Sequence, residues 1–364
     1  MRIAQVAPLY ESVPPKLYGG TERVVSYLTE ALVEAGHEVT LFASGDSETS
    51  ARLVPCCEKS LRLNNHACSD HLAHHFVMLE EVLERADQFD IIHFHVDYMH
   101  FPLSKLSGLV HVSTLHGRLD SPDLVPLYRK YKNMPLTSIS LAQRKPLPWA
   151  NWIGNVYHGL PEDLLPLGDG RGRYLAFLGR ISPEKRVDRA IEISKKLNMP
   201  LKIAAKVDPV DRLYYEREIK PLLNTPNVEF IGEINEQQKG EFLGNACAYL
   251  FPIDWPEPFG LTMIESMACG TPTIAFHCGS VPEVITNGVS GFIVDNTDEA
   301  MIAVQQAATL DRAACRAEFM KRFSAPQMAL QYAKLYEARV AAKSAAPDSE
   351  SADPDTEIDS LLTL

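Results

Sequence analysis

Short apolar runs alternate with amphipathic stretches along almost the whole chain. Residues 3–7 form a first apolar run that suits a buried strand. A loop follows, with Pro14-Pro15 and then Tyr18-Gly19-Gly20-Thr21-Glu22. Over residues 22–35, Val24, Val25, Leu28, Leu32 and Val33 recur at helical spacing, and Gly36 stops the helix. Residues 38–43 give a second strand. This is a βαβ unit, for which a parallel sheet with crossover helices is the default. Residues 89–95, 109–114 and 152–156 read as further strands of the same sheet. Tyr157-His158-Gly159-Leu160-Pro161 reads as the entry to a linker. A second series of strands is predicted at 174–178, 201–205, 228–231, 248–251 and 273–275. Helices are expected over about 212–223, kinked or ended by Pro221, and over 236–243 and 327–343. The pattern is that of an α/β protein with two parallel sheets.

One corner of this pattern carries chemistry. Pro252, Pro256 and Pro258 keep the stretch after strand 248–251 non-helical. Gly260 lets the backbone approach a partner closely, and a helix starts near Leu261 or Thr262. Cys269-Gly270-Thr271-Pro272 closes it. Glu257 and Glu265 stand eight positions apart across this turn. A helix N-terminus suits an anion such as a diphosphate. Glu265 is placed to accept hydrogen bonds from vicinal hydroxyls, as on a ribose. Glu257 suits either the hydroxyls of a second polar ring or a general acid or base. Such a corner fits a sugar nucleotide. The string resembles the E-x₇-E signature of retaining glycosyltransferases of the family 4 type, which have the GT-B fold.

That resemblance extends over about residues 1–343. Gly19-Gly20, weak evidence alone and not a G-x-G-x-x-G fingerprint, looks like the family's glycine-rich first loop. His116, just past a strand end, resembles its cleft histidine, and His95 and Asp97 end the strand before and suit the acceptor side. In Gly179-Arg180-Ile181-Ser182-Pro183-Glu184-Lys185-Arg186, Ser182 can cap a helix with Pro183 at its first position. Arg180 and Lys185 resemble the family's diphosphate motif. Two fixed cations there can stabilise a leaving diphosphate in place of a divalent metal. Gly232-Glu233 falls where the family reads the base through backbone groups. Gly279-Ser280-Val281-Pro282-Glu283 and Gly291-Phe292-Ile293-Val294 are similar to two further family segments.

The resemblance implies two Rossmann-like domains facing a cleft, an acceptor-side domain at 1–160 and a nucleotide-sugar domain at 161–326. A helix at 327–343 would cross back to the first domain, and 344–364 would be a disordered acidic tail. It implies transfer of a hexose, with retention, from a UDP- or GDP-sugar to a hydroxyl, UDP being favoured. Gly19, Gly20, Arg180, Lys185, Gly232, Glu257, Phe259, Gly260, Leu261 and Glu265 would bind the donor. His116 would contact the sugar, and Glu257 becomes a sugar-hydroxyl ligand. No covalent nucleophile stands out, so a front-face route assisted by the leaving phosphate is expected. No cofactor or metal is expected. The acceptor would be a small molecule, a glycan or a lipid-linked sugar.

Composition narrows the remaining readings. The net charge of −12 argues against a general nucleic-acid binder. Six of those charges, Asp348, Glu350, Asp353, Asp355, Glu357 and Asp359, lie past the last base, Lys343. The tail's Asp353-Pro354-Asp355 is a poor metal site in that setting. Seven scattered cysteines without a C-x-x-C pair fit free thiols in a reducing cytoplasm. The start of the chain reads as a strand and not a signal peptide, and no apolar run approaches a membrane span. His66, Cys68, His71, His74 and His75 cluster, but a solvated helix face is favoured over a metal site. Basic and aromatic residues at 128–149, with Trp152 after them, read as a solvated loop, with a peripheral membrane contact as the alternative. A sugar-nucleotide-binding protein without chemistry, and a GT-B epimerase, remain the competing functions.

Overall fold

A buried parallel strand needs apolar side chains on both faces, and the chain supplies short runs of this kind one after another. The computed structural model describes residues 1–16, 19–62 and 70–345. Tyr18, His66, Cys68 and the acidic tail past Ala345, with its Asp353-Pro354-Asp355, lie outside the described residues.

The first sheet has seven parallel strands in the order β3-β2-β1-β4-β5-β6-β7. They are β1 Arg2–Val6, β2 Glu38–Ser44, β3 Arg52–Cys57, β4 Ile91–Phe94, β5 His111–Thr114, β6 Leu136–Ser138 and β7 Trp152–Asn155. Helices α1 Gly20–Glu34, α2 His71–Glu84, α3 Phe101–Ser107 and α4 Leu124–Lys130 fall between them. The second sheet has six parallel strands in the order β10-β9-β8-β11-β12-β13. These are β8 Leu175–Arg180, β9 Leu201–Lys206, β10 Val228–Gly232, β11 Ala248–Phe251, β12 Thr273–Phe276 and β13 Gly291–Val294. Among the helices of this half are α5 Val187–Leu197, α6 Arg212–Tyr214, α7 Glu236–Gly244, α8 Leu261–Ala268, α9 Val281–Val284, α10 Thr297–Ala307 and α11 Arg312–Arg322. The last helix, α12 Ala325–Ala345, returns to the first half and packs on α1. Lys343 Nζ donates to Gly108 O at 3.1 Å near its end. This is the GT-B architecture: two Rossmann-like units with a C-terminal helix crossing back.

Several elements differ from the sequence reading. β3 and β6 were not expected, and α4 stands where Arg129 and Lys130 were taken as loop. Pro183 opens only a 3-10 turn, Pro183–Lys185, with no side-chain cap from Ser182. The helix proper starts at Val187, after Arg186 in a left-handed conformation (φ 52°). The expected helix at 212–223 breaks into α6, a π turn and a 3-10 turn around Pro221. Ser344, assigned to the tail, is still helical. His75 is buried rather than solvated, and its Nε2 accepts from Leu9 N–H at 3.1 Å.

Two crossings join the halves, and they run side by side. Leu160 N–H donates to Phe323 O at 2.9 Å and Ala325 N–H donates to Leu160 O at 2.7 Å. A Cβ on Gly159 would lie 2.5 Å from Ser324 O, so only glycine allows the approach. Each sheet reverses its strand order once, between β1 and β4 and between β8 and β11. A crevice opens at the carboxyl ends of strands where the order reverses. Here both crevices open into one shared cleft.

Candidate active site

The cleft encloses about 1040 Å³ and takes its walls from both halves. On the second-half wall, β8 ends at Arg180 and β11 ends at Phe251. The chain after β11 cannot be helical because of its prolines, so it loops over the strand ends before α8 begins. Hydrogen bonds hold that loop in place. Ser280 N–H donates to Glu257 O at 3.0 Å, and Ser280 Oγ donates to Phe259 O at 2.7 Å. Tyr249 OH donates to Thr262 Oγ1 at 2.7 Å and ties the start of α8 to the sheet. Gly260 adopts φ 81° as the N-cap of α8. A Cβ there would lie 2.8 Å from Met263 Cε, a contact that this flexible side chain can relieve, so it is the left-handed backbone that calls for glycine.

Charges are paired across this wall. Lys185 Nζ contacts Glu257 Oε2, which also accepts from Trp255 Nε1–H at 2.9 Å. Lys185 lies 5.1 Å above the Trp255 ring, and Arg118 from the first half lies 5.3 Å from the same ring. Arg180 reaches Glu184 at 3.2 Å and Asp208 at 3.4 Å. Glu265 is 2% exposed; its Oε1 accepts from Lys239 Nζ at 2.7 Å, and its Oε2 is buried without a hydrogen-bond partner. Burial would lower the Lys239 ammonium, but Glu265 and Glu236 more than offset this and raise it above its usual value. Glu236 also pairs with Arg23 on α1, so this ion-pair string bridges the two halves.

On the first-half wall, Gly19 and Gly20 lead into α1. A Cβ on Gly20 would stand 3.8 Å from Leu261 Cδ1, so the two walls nearly touch there. His116 follows β5. Its Nε2 lies 2.8 Å from His95 Nδ1, and its ring stacks on His158 at 5.2 Å. Burial pushes the His116 imidazole down to about 3, so the ring is neutral near pH 7. Asp97 has φ 49° and lines the same wall. Burial pushes its carboxyl up to about 6, against a hydrogen bond from the His116 backbone that lowers it.

Two family models match this chain. Glycosyltransferase Family 4 matches residues 18–159, and Glycosyl transferases group 1 matches residues 167–322. The chain belongs to the family 4 type of GT-B glycosyltransferases. It is 25% identical to a glycogen synthase of Mycobacterium tuberculosis over 363 residues, 85% of this chain and 86% of that protein. It is 24% identical over 353 residues to a phosphatidyl-myo-inositol mannosyltransferase of Mycolicibacterium smegmatis, with 89% and 88% covered. Among solved structures, Anabaena HepE in complex with UDP and glucose shares the fold, with a TM-score of 0.71. That match has 17% identity and covers 93% of this chain and 100% of HepE.

This glycosyltransferase brings nearly all the expected site residues to one cleft. Gly19, Gly20, His116, Arg180, Lys185, Glu257, Phe259, Gly260, Leu261 and Glu265 all line it. Gly232 does not; it ends β10, and the lining begins at the next residue, Glu233. The sequence reading missed Trp255, Arg118, Arg23 and Lys239. Lys239 had one available signal. Asn235 and Gln238 form a capping box, which starts α7 at the cleft and sets Lys239 one turn in. Among the described residues, no cluster of His, Cys, Asp or Glu could hold a metal ion, and no helix is long and apolar enough to cross a membrane. The basic region at 128–149 packs on its own aromatics, with Arg129 5.8 Å from the Trp149 ring.

Proposed function

We propose that this glycosyltransferase moves a hexose, with retention at the anomeric carbon, from a nucleoside-diphosphate sugar to a hydroxyl acceptor, with UDP-sugars the favoured donors. The observation that carries the reading is the convergence of Lys185, Arg180, the N-terminus of α8 and both E-x₇-E carboxylates on one wall of one cleft. Lys185, Arg180 and the α8 N–H groups take up the charge that develops on the leaving diphosphate, without calling on a divalent metal. Glu265 Oε2 accepts from the ribose. Glu257 and the 259–261 backbone hold the sugar hydroxyls, and His116 meets the sugar from the other wall. In this reading, a leaving phosphate oxygen takes the proton of the acceptor hydroxyl on the same face. The complex of HepE with UDP and glucose supports the donor class, and the two mycobacterial relatives support transfer to a sugar or inositol hydroxyl. A cytoplasmic site of action goes with such donors.

The test is a panel of UDP-, GDP- and ADP-sugars in thermal shift and donor hydrolysis. A donor at 100 times its Kd adds about 2.7 kcal/mol to the native state, which raises Tm by a few degrees. UDP-glucose is expected to stabilise the protein and to be hydrolysed slowly to α-glucose. No stabilisation by any nucleotide, or release of the β-anomer first, defeats the reading.

A further inference from the structure

Behind His116 runs a string of buried polar side chains that the transfer chemistry does not use. His95 Nε2 lies 2.8 Å from Gln5 Oε1, and Gln5 Nε2–H donates to Tyr336 OH at 3.2 Å. Tyr336 OH is 2.7 Å from His93 Nδ1, and His93 Nε2 is 2.7 Å from Thr114 Oγ1. Thr114 in turn is 2.9 Å from Tyr332 OH. Gln5 and His93 are register partners on the two central strands, β1 and β4. Tyr332 and Tyr336 are one turn apart on α12, the helix that returns from the other half. All six of these side chains are at most 2% exposed. Six polar groups in the middle of a sheet are costly unless each is satisfied, and here they satisfy one another.

We propose that this string positions His116. Gln5, acting through His95, sets which ring nitrogen of His116 carries the proton, and Tyr336 on the returning helix holds the Gln5 amide in that orientation. The inference rests on the reading of the cleft as a sugar-transfer site.

The direction of each bond follows from what each atom can do. An amide oxygen only accepts, so His95 Nε2 carries a proton. Burial holds His95 well below the usual imidazole range, so its ring is neutral and its Nδ1 is bare. A bare Nδ1 must receive its bond, so His116 Nε2 carries the proton and donates. His116 is neutral too, which leaves its own Nδ1 as a lone pair. That Nδ1 is buried and has no hydrogen-bond partner, while the ring lines the cleft. A sugar hydroxyl that reached this atom could therefore only donate to it. Turning the Gln5 amide end for end would reverse every proton along the string. His95 would then donate from Nδ1, and His116 would present an N–H instead of a lone pair. In the arrangement observed, Tyr336 receives the Gln5 N–H and is left to give its own proton to His93 Nδ1, which carries the string on to the returning helix. A helix from the far end of the chain is thus joined through three hydrogen bonds to the ring of His116.

The experiment reads the ring protons directly. In ¹⁵N-labelled, unliganded protein, the His116 signals are assigned by their loss in His116→Gln. Wild type is expected to show a neutral ring protonated at Nε2. Gln5→Met keeps the volume and removes the amide, and should give a mixture of tautomers. Gln5→Glu keeps an oxygen facing His95 and should restore the Nε2–H form. Tyr336→Phe should shift His116 in the same direction as Gln5→Met, and it decides the matter if Gln5→Met does not fold. With UDP-glucose as the probe, Gln5→Met should lower kcat about 10- to 100-fold with KM within about twofold. An unchanged His116 tautomer in a folded Gln5→Met or Tyr336→Phe protein overturns the proposal. So does an unchanged kcat in folded Gln5→Met. The tautomer arm needs no donor: a shifted tautomer in a protein that neither binds nor cleaves UDP-glucose supports the string and rejects the transfer reading instead.

Discussion

Lys185 cannot serve the diphosphate and Glu257 equally well at the same time. In the unliganded cleft its ammonium is engaged by Glu257 Oε2, and both side chains are mostly buried. A diphosphate competes for that ammonium, whereas a whole donor also brings sugar hydroxyls for Glu257 to accept. The two partners should therefore separate kinetically. Lys185→Ala is expected to reduce turnover about 10²- to 10³-fold, as for loss of one preorganised cation at a developing charge, with the circular dichroism spectrum unchanged. Glu257→Gln should bind UDP as tightly as wild type or more tightly, because the competing carboxylate is gone. The same variant should lose kcat/KM for UDP-glucose, because a sugar ligand is weakened. Weaker UDP binding in Glu257→Gln, measured by calorimetry, would rule out this competition. The sequence alone gave Lys185, Glu257, Glu265 and His116 as candidates, since residue type, loop position and family resemblance all pointed the same way. Their partners were not legible. Gln5 lies 90 residues from His95, and Tyr336 lies 243 residues from His93. No local pattern encodes such contacts.

At the scale of elements, Glu283 has a structural task that its family-like segment did not announce. It sits on α9, a four-residue helix of the second half, yet its carboxylate caps a turn of the first half. Oε2 accepts from Leu141 N–H and Oε1 from Ala142 N–H, each at 2.7 Å, and Tyr157 OH donates to it at 3.1 Å. Glu283→Ala removes all three bonds and strands two backbone donors at the junction of the halves. A cost of about 2–4 kcal/mol is expected from charged hydrogen bonds at a partly buried site. A fall in the urea midpoint with an unchanged m-value would show it; a change below about 0.5 kcal/mol would mean that water replaces the cap. The elements that escaped the sequence reading have physical reasons of their own. β6 spans three residues, too few for any periodicity, and β3 carries Pro55 in an edge strand with only one fully buried position. The long periodic α1 and α12, by contrast, were legible to within a few residues.

For the whole molecule, the buried histidines of the first half set an acid limit. Burial holds His93, His95, His100 and His158 well below the ordinary imidazole value. It takes His111 down to about 4 and His116 to about 3. In the unfolded chain each of these rings titrates near 6.5. Below that pH the unfolded state takes up protons that the folded state refuses, so stability is complete above about 6.5 and falls as the pH drops. Three buried acids work the other way. Asp97 keeps its proton up to about 6 when folded, and Glu11 and Glu22 are also raised by burial, so protonation favours the folded state there. Burial lowers His75 as well, so with seven rings against three acids at least three excess protons remain. At about 1.4 kcal/mol per proton per pH unit, the loss is about 4 kcal/mol per unit. Against a typical stability of about 5–15 kcal/mol, the first half should unfold between about pH 3 and 5. The second sheet, over residues 175–294, has no buried histidine, so the transition should begin in the first half. Tryptophan can report it: Trp149 and Trp152 lie in the first half and Trp255 in the second. In an acid titration of Trp255→Phe, emission should change at a higher pH than in the double variant Trp149→Phe/Trp152→Phe. Coincident transitions would mean that α12, which ties the two halves together, makes them unfold as one unit. A native signal persisting below about pH 3 would mean that the histidines gain their protons without leaving the fold.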